Sequence, residues 1–133
     1  MAGNITLLIV DDLFSTRENI YKLLEFYPEV IPVGQAENAW EAIQKARELA
    51  PDVVLMDLNM PEMDGISGTK ALLAAVPESR VLMMSVQGER EYQEQALAAG
   101  AKAYLVKPFT GQELVQTVQA VCKERSLRER VCS

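Results

Sequence analysis

The sequence predicts a single α/β domain with a doubly wound, five-stranded parallel sheet. Five short apolar runs, rich in β-branched residues, alternate with stretches of helical periodicity along 133 residues. The runs are almost continuously apolar, which is typical of strands covered by helices on both faces of the sheet. Pro32 lies in the second run and cannot donate a ladder hydrogen bond, so this strand is expected at an edge. The strand order 2-1-3-4-5 places it there.

The five strands are predicted from their apolar runs: ITLLIV (5–10), VIPV (30–33), DVVLM (52–56), RVLMM (80–84) and AYLV (103–106). The first helix follows from apolar residues at i, i+3, i+4 and i+7: Ile20, Leu23, Leu24 and Tyr27. A capping box, Asn38 with Glu41, opens the second helix, and Ile43, Ala46 and Leu49 lie on its inner face. The last three helices are predicted from their own apolar stripes. The third has Ile66, Leu73 and Val76, and the fourth has Tyr92, Ala96 and Ala99 and ends at Gly100. The fifth has Leu114, Val115, Val118 and Cys122.

Composition excludes several classes of function. The net charge of -6 is opposite to the basic stripe that nucleic-acid binding needs. The chain has no histidine, so by itself it cannot perform Ser-His catalysis, bind a metal through histidine or carry a phosphohistidine. No apolar run approaches the ~20 residues of a membrane span, and the N-terminus has no signal-peptide pattern. Cys122 and Cys132 form no metal or disulfide pattern, so a cytoplasmic location is expected.

The last ten or so residues are expected to lie outside the domain. The stripe of the fifth helix ends near Cys122, and Leu127 and Val131 fall on a different face. Basic and acidic residues alternate in this segment, which is typical of a solvated surface. We therefore predict a domain over residues 1–123 and a charged C-terminal tail, or the start of a linker, over 124–133.

Polar residues end four of the five predicted strands. Asp11 and Asp12 follow the first strand, Asp57 the third and Ser85 the fourth, and Lys107 follows the fifth. The carboxyl ends of parallel strands lie at one edge of the sheet, which is where such folds bind ligands. These five side chains are therefore expected to meet at one site.

Three carboxylates at one edge require positive charge nearby. Two carboxylates ~4 Å apart repel by about 4 kcal/mol at an effective dielectric constant of about 20. Lys107 supplies one positive charge, and Mg²⁺ is the natural source of two more, because it binds carboxylate, water and phosphate oxygens. A carboxylate surrounded by Mg²⁺, a lysine and a hydroxyl is an arrangement for phosphoryl transfer. Asp57 lies on the middle strand of the group and is the best candidate nucleophile.

These segments resemble the receiver domain of two-component response regulators, including the chemotaxis receivers. The resemblance rests on "LLIVDD", "VVLMDLNMPEMDG", the serine after "VLMM", and "GAKAYLVKPF", and it extends over residues 4 to 123. It implies a flavodoxin-like (βα)5 fold with helices on both faces of the sheet. It also implies that Asp57 is the phosphoacceptor. Mg²⁺ would be held by the Asp12 and Asp57 carboxylates and the Asn59 backbone carbonyl, with Asp11 acting through water.

The resemblance also implies how phosphorylation is sensed. Lys107, joined to Pro108 by a cis peptide bond, would bind a phosphoryl oxygen. Ser85 would hydrogen-bond the phosphoryl group, and Tyr104 would turn into the vacated space. That movement would remodel the face formed by helix four, strand five and helix five. This face would contact an output partner and could also form a homodimer.

Three residues flank this site. Val86 departs from the family pattern, which has alanine or glycine after the serine, and a branched side chain here would slow phosphoryl entry or hinder Tyr104. Asn59 and Gln87 occupy positions where the family tunes the rate of dephosphorylation. Their polarity indicates only that no apolar lid excludes water.

The leading functional hypothesis is a signalling switch phosphorylated by a separate histidine kinase or phosphotransfer protein. Such a domain catalyses only its own phosphorylation and dephosphorylation and is otherwise not an enzyme. One alternative is a phosphatase like the haloacid dehalogenases, although Asp57-Leu58-Asn59 matches their signature poorly and the chain has no room for a cap domain. The others are an interaction module that is not phosphorylated, which Val86 alone favours, and the receiver part of a pilus-assembly or cell-division-site ATPase.

Overall fold

The structure, a computed structural model, describes the backbone of residues 4–132 and the side chains of residues 4–123. Five strands and five helices alternate in one βα series. The strands are β1 (Ile5–Val10), β2 (Val30–Ala36), β3 (Val53–Asp57), β4 (Val81–Ser85) and β5 (Ala103–Val106). The helices are α1 (Phe14–Leu24), α2 (Ala39–Leu49), α3 (Gly65–Ala75), α4 (Arg90–Ala98) and α5 (Gly111–Cys132). In the part of the chain that is described, none of these helices is long and apolar enough to cross a bilayer.

The sheet is fully parallel and has the predicted order β2-β1-β3-β4-β5. Pro32 lies on the edge strand β2, as expected. The strand nevertheless continues past the predicted end to Ala36, because the register shifts after Pro32: Leu7 pairs with Pro32 and Leu8 with Gly34. One extra residue in an edge strand is the usual way to continue a ladder past a residue that cannot donate.

The sheet is covered on both faces, so β3 and β4 are buried along their whole length. Alternate residues of each strand point to opposite faces and contribute to two apolar layers. One layer packs against α2, α3 and α4 and contains Leu8, Val54, Met56 and Met83. The other packs against α1 and α5 and contains Leu7, Leu55, Leu82 and Leu114. This burial holds the carboxyl ends of β1, β3 and β4 in a rigid frame.

The capping box that the sequence predicts for α2 is present in a modified form. The Asn38 side chain accepts a hydrogen bond from the Glu41 amide at 2.8 Å. The Glu41 carboxylate accepts from the Glu37 amide at 2.8 Å, one residue before the expected Asn38 amide. Asp64 caps α3 in the same way by accepting from the Ser67 amide at 2.9 Å.

Two predicted core positions are less buried than expected. The Leu49 side chain faces Gly34 of β2, as expected for the inner face of α2, but it is 42% exposed. The buried stripe of α2 is formed by Ala39, Ala42, Ile43 and Ala46. In α5, Val121 is buried and Cys122 only half-buried. A helix turns by about 100° per residue, so the last position of a stripe is the least determined by spacing alone.

The predicted boundary at residue 123 stays a prediction. The backbone of α5 is helical to Cys132, and Val121 is the last buried residue among the side chains that the structure describes. The side chains of residues 124–133, including that of Cys132, lie outside the described residues.

Candidate functional site

The carboxyl ends of β1 and β3 bring three acidic side chains together. One carboxylate oxygen from each of Asp11, Asp12 and Asp57 lies within 4.8 Å of the others. Asp57 is the last residue of β3 and Asp11 directly follows β1, and both are almost completely buried. Asp12 is partly exposed. Residues that are 45 or 46 positions apart in sequence thus form one acidic pocket, in which Asp12 is the most exposed of the three carboxylates.

Lys107 reaches this pocket from the end of β5. Its Nζ lies 3.0 Å from Asp57 Oδ1 and 3.4 Å from Asp11 Oδ2, so one ammonium group bridges two buried carboxylates. The Lys107–Pro108 peptide bond is cis, as the resemblance implies. The Lys107 amide donates to the Ser85 carbonyl at 2.8 Å and ties this loop to the end of β4.

The pocket perturbs the acid–base properties of both partners. Burial raises the pKa of Asp57 to about 6, the Lys107 charge opposes this rise, and the charges of Asp11 and Asp12 add to it. Burial alone would lower the pKa of Lys107, but the nearby Asp57 and Asp11 carboxylates outweigh it and raise the pKa. The lysine is therefore fully charged at neutral pH, while Asp57 carries its charge at a cost.

A hydrogen-bond network connects the site to Tyr104. Ser85 Oγ donates to Asn59 Oδ1 at 3.1 Å and accepts from the Gln87 amide at 3.0 Å. The Asn59 amide group donates to Gln87 Oε1 at 3.2 Å, which closes a ring across the mouth of the pocket. Tyr104 OH donates to the Gln87 carbonyl at 2.6 Å. Ser85 is completely buried, so any change at its hydroxyl acts on this loop rather than on solvent.

Val86 lies in the same loop but does not fill the pocket. Its side chain is 68% exposed, whereas Ser85 beside it faces inward. The hydroxyl of Tyr104 donates to the carbonyl of Gln87, the residue after Val86. The expectation that Val86 hinders phosphoryl entry or the tyrosine stays a prediction, and the direction of its side chain argues for a small effect.

The residues present fit a hard divalent cation. The donors are all carboxylate oxygens, which Mg²⁺ prefers, and the part of the chain that is described offers no sulfur or imidazole ligand at this position. Lys107 balances only one of the three negative charges. Among the described residues, no hydrogen bond or ion pair engages the Asp12 carboxylate, which leaves it available as a ligand.

Arg17 lies next to the acidic pocket, although it is not among the residues predicted for the site. Its Nη1 donates to the Asp11 carbonyl at 2.5 Å and its Nε donates to Gln35 Oε1 at 2.7 Å. The available sequence signal was the position of the arginine, five residues after Asp12 and in the first turn of α1. Its pairing with Gln35 of β2 depends on how α1 packs beside that strand.

We expect Asp57→Asn to stabilise the metal-free protein by about 2 kcal/mol at pH 7.5. The pKa of Asp57 is about 6 in the folded state, above its ordinary value of 3.8, so the folded state retains the proton more strongly. The wild type therefore loses stability relative to the variant as pH rises from about 4 through about 6. Urea unfolding in EDTA at pH 4.5 and at pH 7.5 measures the free energy of unfolding of both proteins. The difference between wild type and variant should be small at pH 4.5.

Glu62→Gln is the matched control, because Glu62 is an exposed loop carboxylate in the same segment. Its stability should change by less than about 0.5 kcal/mol at either pH. An Asp57→Asn variant that is less stable than wild type at pH 7.5 in EDTA would show that the ionised carboxylate is favourable in this pocket.

Comparison with known proteins agrees with this geometry. The family model described as the response regulator receiver domain matches residues 7–119. The transcriptional regulatory protein LnrK of Bacillus subtilis is 37% identical over 117 residues, which are 88% of this chain and 53% of that protein. The chemotaxis protein CheY of Listeria monocytogenes is 38% identical over 120 residues, covering 88% of this chain and 98% of that protein.

The solved structures support the same assignment. The signal receiver domain of the response regulator NarL from Mycobacterium tuberculosis superimposes with a TM-score of 0.84 and 31% identity, covering 92% of this chain and 98% of that one. The chain spans about half the length of the transcriptional regulators that it matches. Receiver domains are signalling modules rather than classical enzymes, and they interact with kinases or phosphotransfer proteins. The chain belongs to the response regulator receiver domain family of two-component signalling.

Proposed function

We propose that this domain is a phosphorylatable switch in which Asp57 accepts one phosphoryl group. The observation that carries the proposal is Lys107, which bridges Asp57 and Asp11 in a pocket with three carboxylates. The donor is a histidine kinase or a phosphotransfer protein, because the chain has no histidine of its own. The domain acts in the cytoplasm and promotes only its own phosphorylation and dephosphorylation.

The chemistry needs Asp57 in its ionised form. An oxygen of the carboxylate attacks the phosphorus of the donor and forms an acyl phosphate, while the bond to the donor nitrogen or oxygen breaks and the leaving group keeps its electrons. With a pKa of about 6, most Asp57 is ionised at neutral pH. Bound Mg²⁺ would favour the ionised form further, because a cation beside the carboxylate lowers its pKa.

The other site residues bind and orient the phosphoryl group. Asp11, Asp12 and Asp57, with the Asn59 carbonyl, would hold Mg²⁺, which when bound neutralises charge on the phosphoryl oxygens. Lys107 is placed to bind one of these oxygens, since its ammonium group already contacts Asp57 Oδ1.

Ser85 is the residue that reports the new charge. Its hydroxyl now donates to Asn59, and a phosphoryl group on Asp57 offers it a stronger, charged acceptor. The change is passed to the Gln87 loop and to Tyr104, whose hydroxyl is bonded to that loop. We propose that the face formed by α4, β5 and α5 then changes its affinity for an output partner or for a second copy of the chain. Its partners include neither nucleic acid nor membrane.

The test is phosphorylation by a small donor. Wild type incubated with Mg²⁺ and acetyl phosphate should gain the mass of one phosphoryl group, and EDTA should prevent the gain. Asp57→Asn should gain none, while Glu62→Gln should behave as wild type. Intact-protein mass spectrometry followed by peptide mapping measures both the stoichiometry and the site. No adduct on wild type would favour an interaction module that is not phosphorylated, and an adduct on Asp57→Asn would place the acceptor elsewhere.

A further inference from the structure

We infer that Arg17 is a positioning residue that holds the Asp11–Asp12 segment in the geometry required for metal binding. This inference rests on the proposed function, in which these two aspartates help to hold Mg²⁺. It adds a residue from outside the acidic pocket to the set that determines metal affinity.

Asp11 is held in place by hydrogen bonds and an ion pair. Its amide donates to the Ala36 carbonyl at 3.1 Å, and its Oδ1 accepts from the Leu13 amide at 2.9 Å. Its Oδ2 contacts Lys107, and its carbonyl accepts from Arg17 Nη1 at 2.5 Å. Each polar group of Asp11 thus has a partner, and the carbonyl is the one that leads directly into Asp12.

The position of the Asp12 carboxylate depends on the backbone of Asp11. Its carboxylate has no hydrogen bond or ion pair among the described residues, so the position of the main chain decides where the group lies. The Asp11 carbonyl belongs to the peptide bond that joins Asp11 to Asp12. A hydrogen bond to that carbonyl therefore sets the plane of the peptide and the direction of the Asp12 side chain.

Arg17 is itself held in one position by its neighbours. Its Nε donates to Gln35 Oε1 at 2.7 Å, and the Gln35 carbonyl accepts from Lys45 Nζ of α2 at 2.7 Å. The guanidinium group lies 5.7 Å from the centre of the Phe14 ring. Two acceptors and an aromatic face hold a planar guanidinium in one orientation, which a lysine ammonium cannot reproduce. The arginine thereby connects α2 and β2 to the loop after β1.

Residues that hold metal ligands in place through hydrogen bonds typically change metal affinity by about 10- to 100-fold when they are replaced. We expect Arg17→Gln to weaken Mg²⁺ binding about tenfold, measured by isothermal titration calorimetry on the folded, unphosphorylated protein. Arg17→Lys keeps the charge but can reach only one of the two acceptors, so it should also bind more weakly than wild type. Gln35→Leu keeps Arg17 and removes its anchor, and should weaken binding in the same direction.

Arg47→Gln is the matched control. Arg47 lies on the exposed side of α2 and its replacement removes the same charge, so its Mg²⁺ affinity should equal that of wild type. Phosphorylation by acetyl phosphate should be slow in Arg17→Gln at low Mg²⁺ and should recover when Mg²⁺ is saturating. A purely structural role would lower the unfolding midpoint without changing the dissociation constant measured well below it.

The outcomes separate the two proposals. Wild-type Mg²⁺ affinity in Arg17→Gln, or a loss in Arg17→Gln with wild-type affinity in both Arg17→Lys and Gln35→Leu, would overturn the positioning role. The second pattern would assign the effect to charge alone. Absence of phosphorylation in a wild type that binds Mg²⁺ would overturn the proposed function, while the dissociation constants would still decide the role of Arg17.

Discussion

Replacing Gly65 with alanine should destabilise the protein by about 3 kcal/mol, because the new methyl group has no space. A Cβ at this position would overlap the Asp57 carbonyl oxygen and would lie 2.8 Å from Leu58 Cα and 2.9 Å from Met83 Sδ. Two of these neighbours are backbone atoms that follow a completely buried strand, and they cannot move aside as a surface side chain would. Urea unfolding of the variant in EDTA measures the loss.

The same substitution should also impair the site. The Gly65 amide donates to the Leu58 carbonyl at 2.7 Å, so the start of α3 rests directly on the segment that carries Asp57. Displacing that segment would move the carboxylate relative to Lys107 and lower the rate of phosphorylation by acetyl phosphate. Gly88→Ala is the control, since its Cβ would meet only Val106 methyl groups at 3.5 Å. Equal stability of the two variants would show that the contact at Gly65 relaxes easily.

Removing the positive charge of Lys107 should also lower the stability of the folded protein strongly. We expect Lys107→Met to cost about 2–3 kcal/mol at pH 7.5 without metal, because Asp57 and Asp11 would remain buried without their shared partner. The pKa of Asp57 would rise further above 6, since the lysine now lowers it. The loss should therefore shrink at pH 4.5, where Asp57 is protonated in either protein. Chemical unfolding at the two pH values in EDTA measures this difference.

A double-mutant cycle measures the interaction energy between Lys107 and Asp57. In the Asp57→Asn background, Lys107→Met should cost less, because one of its two carboxylate partners is already neutral and only Asp11, at 3.4 Å, remains. Lys102→Met is the matched control, as this lysine lies before β5 on the opposite end of the strand. Equal costs of Lys107→Met in both backgrounds would mean that the 3.0 Å contact contributes nothing to stability.

Most of the site was predicted from one rule, namely that the carboxyl ends of parallel strands lie at one edge of the sheet. Asp11, Asp57 and Ser85 were expected at one edge because parallel strands finish there, and the structure places them there. Lys107 was expected nearby for the same reason and is found between two carboxylates. The rule succeeds because it needs only the order of strands, and alternating apolar runs are a local pattern that indicates this order.

Details that depend on side-chain direction were not predictable in this way. The requirement for glycine at position 65 is one such detail, because it comes from the close approach of α3 to Asp57. The exposure of Val86 is a second such detail, and its expected effect on phosphoryl entry or on Tyr104 stays a prediction. Each of these depends on how one residue is rotated relative to an element that is distant in sequence.

By itself, the sequence determined the fold class, the identity of the acidic and basic residues at the strand ends, and the family resemblance. All of these are carried by periodicity, turn chemistry and short motifs within a few residues of one another. Only the tertiary structure decided that Lys107 contacts Asp11 across 96 residues, and that Arg17 bonds to Gln35 across 18. Such contacts depend on how the helices pack against the sheet, and a tenth of a helical turn is enough to make or break a hydrogen bond.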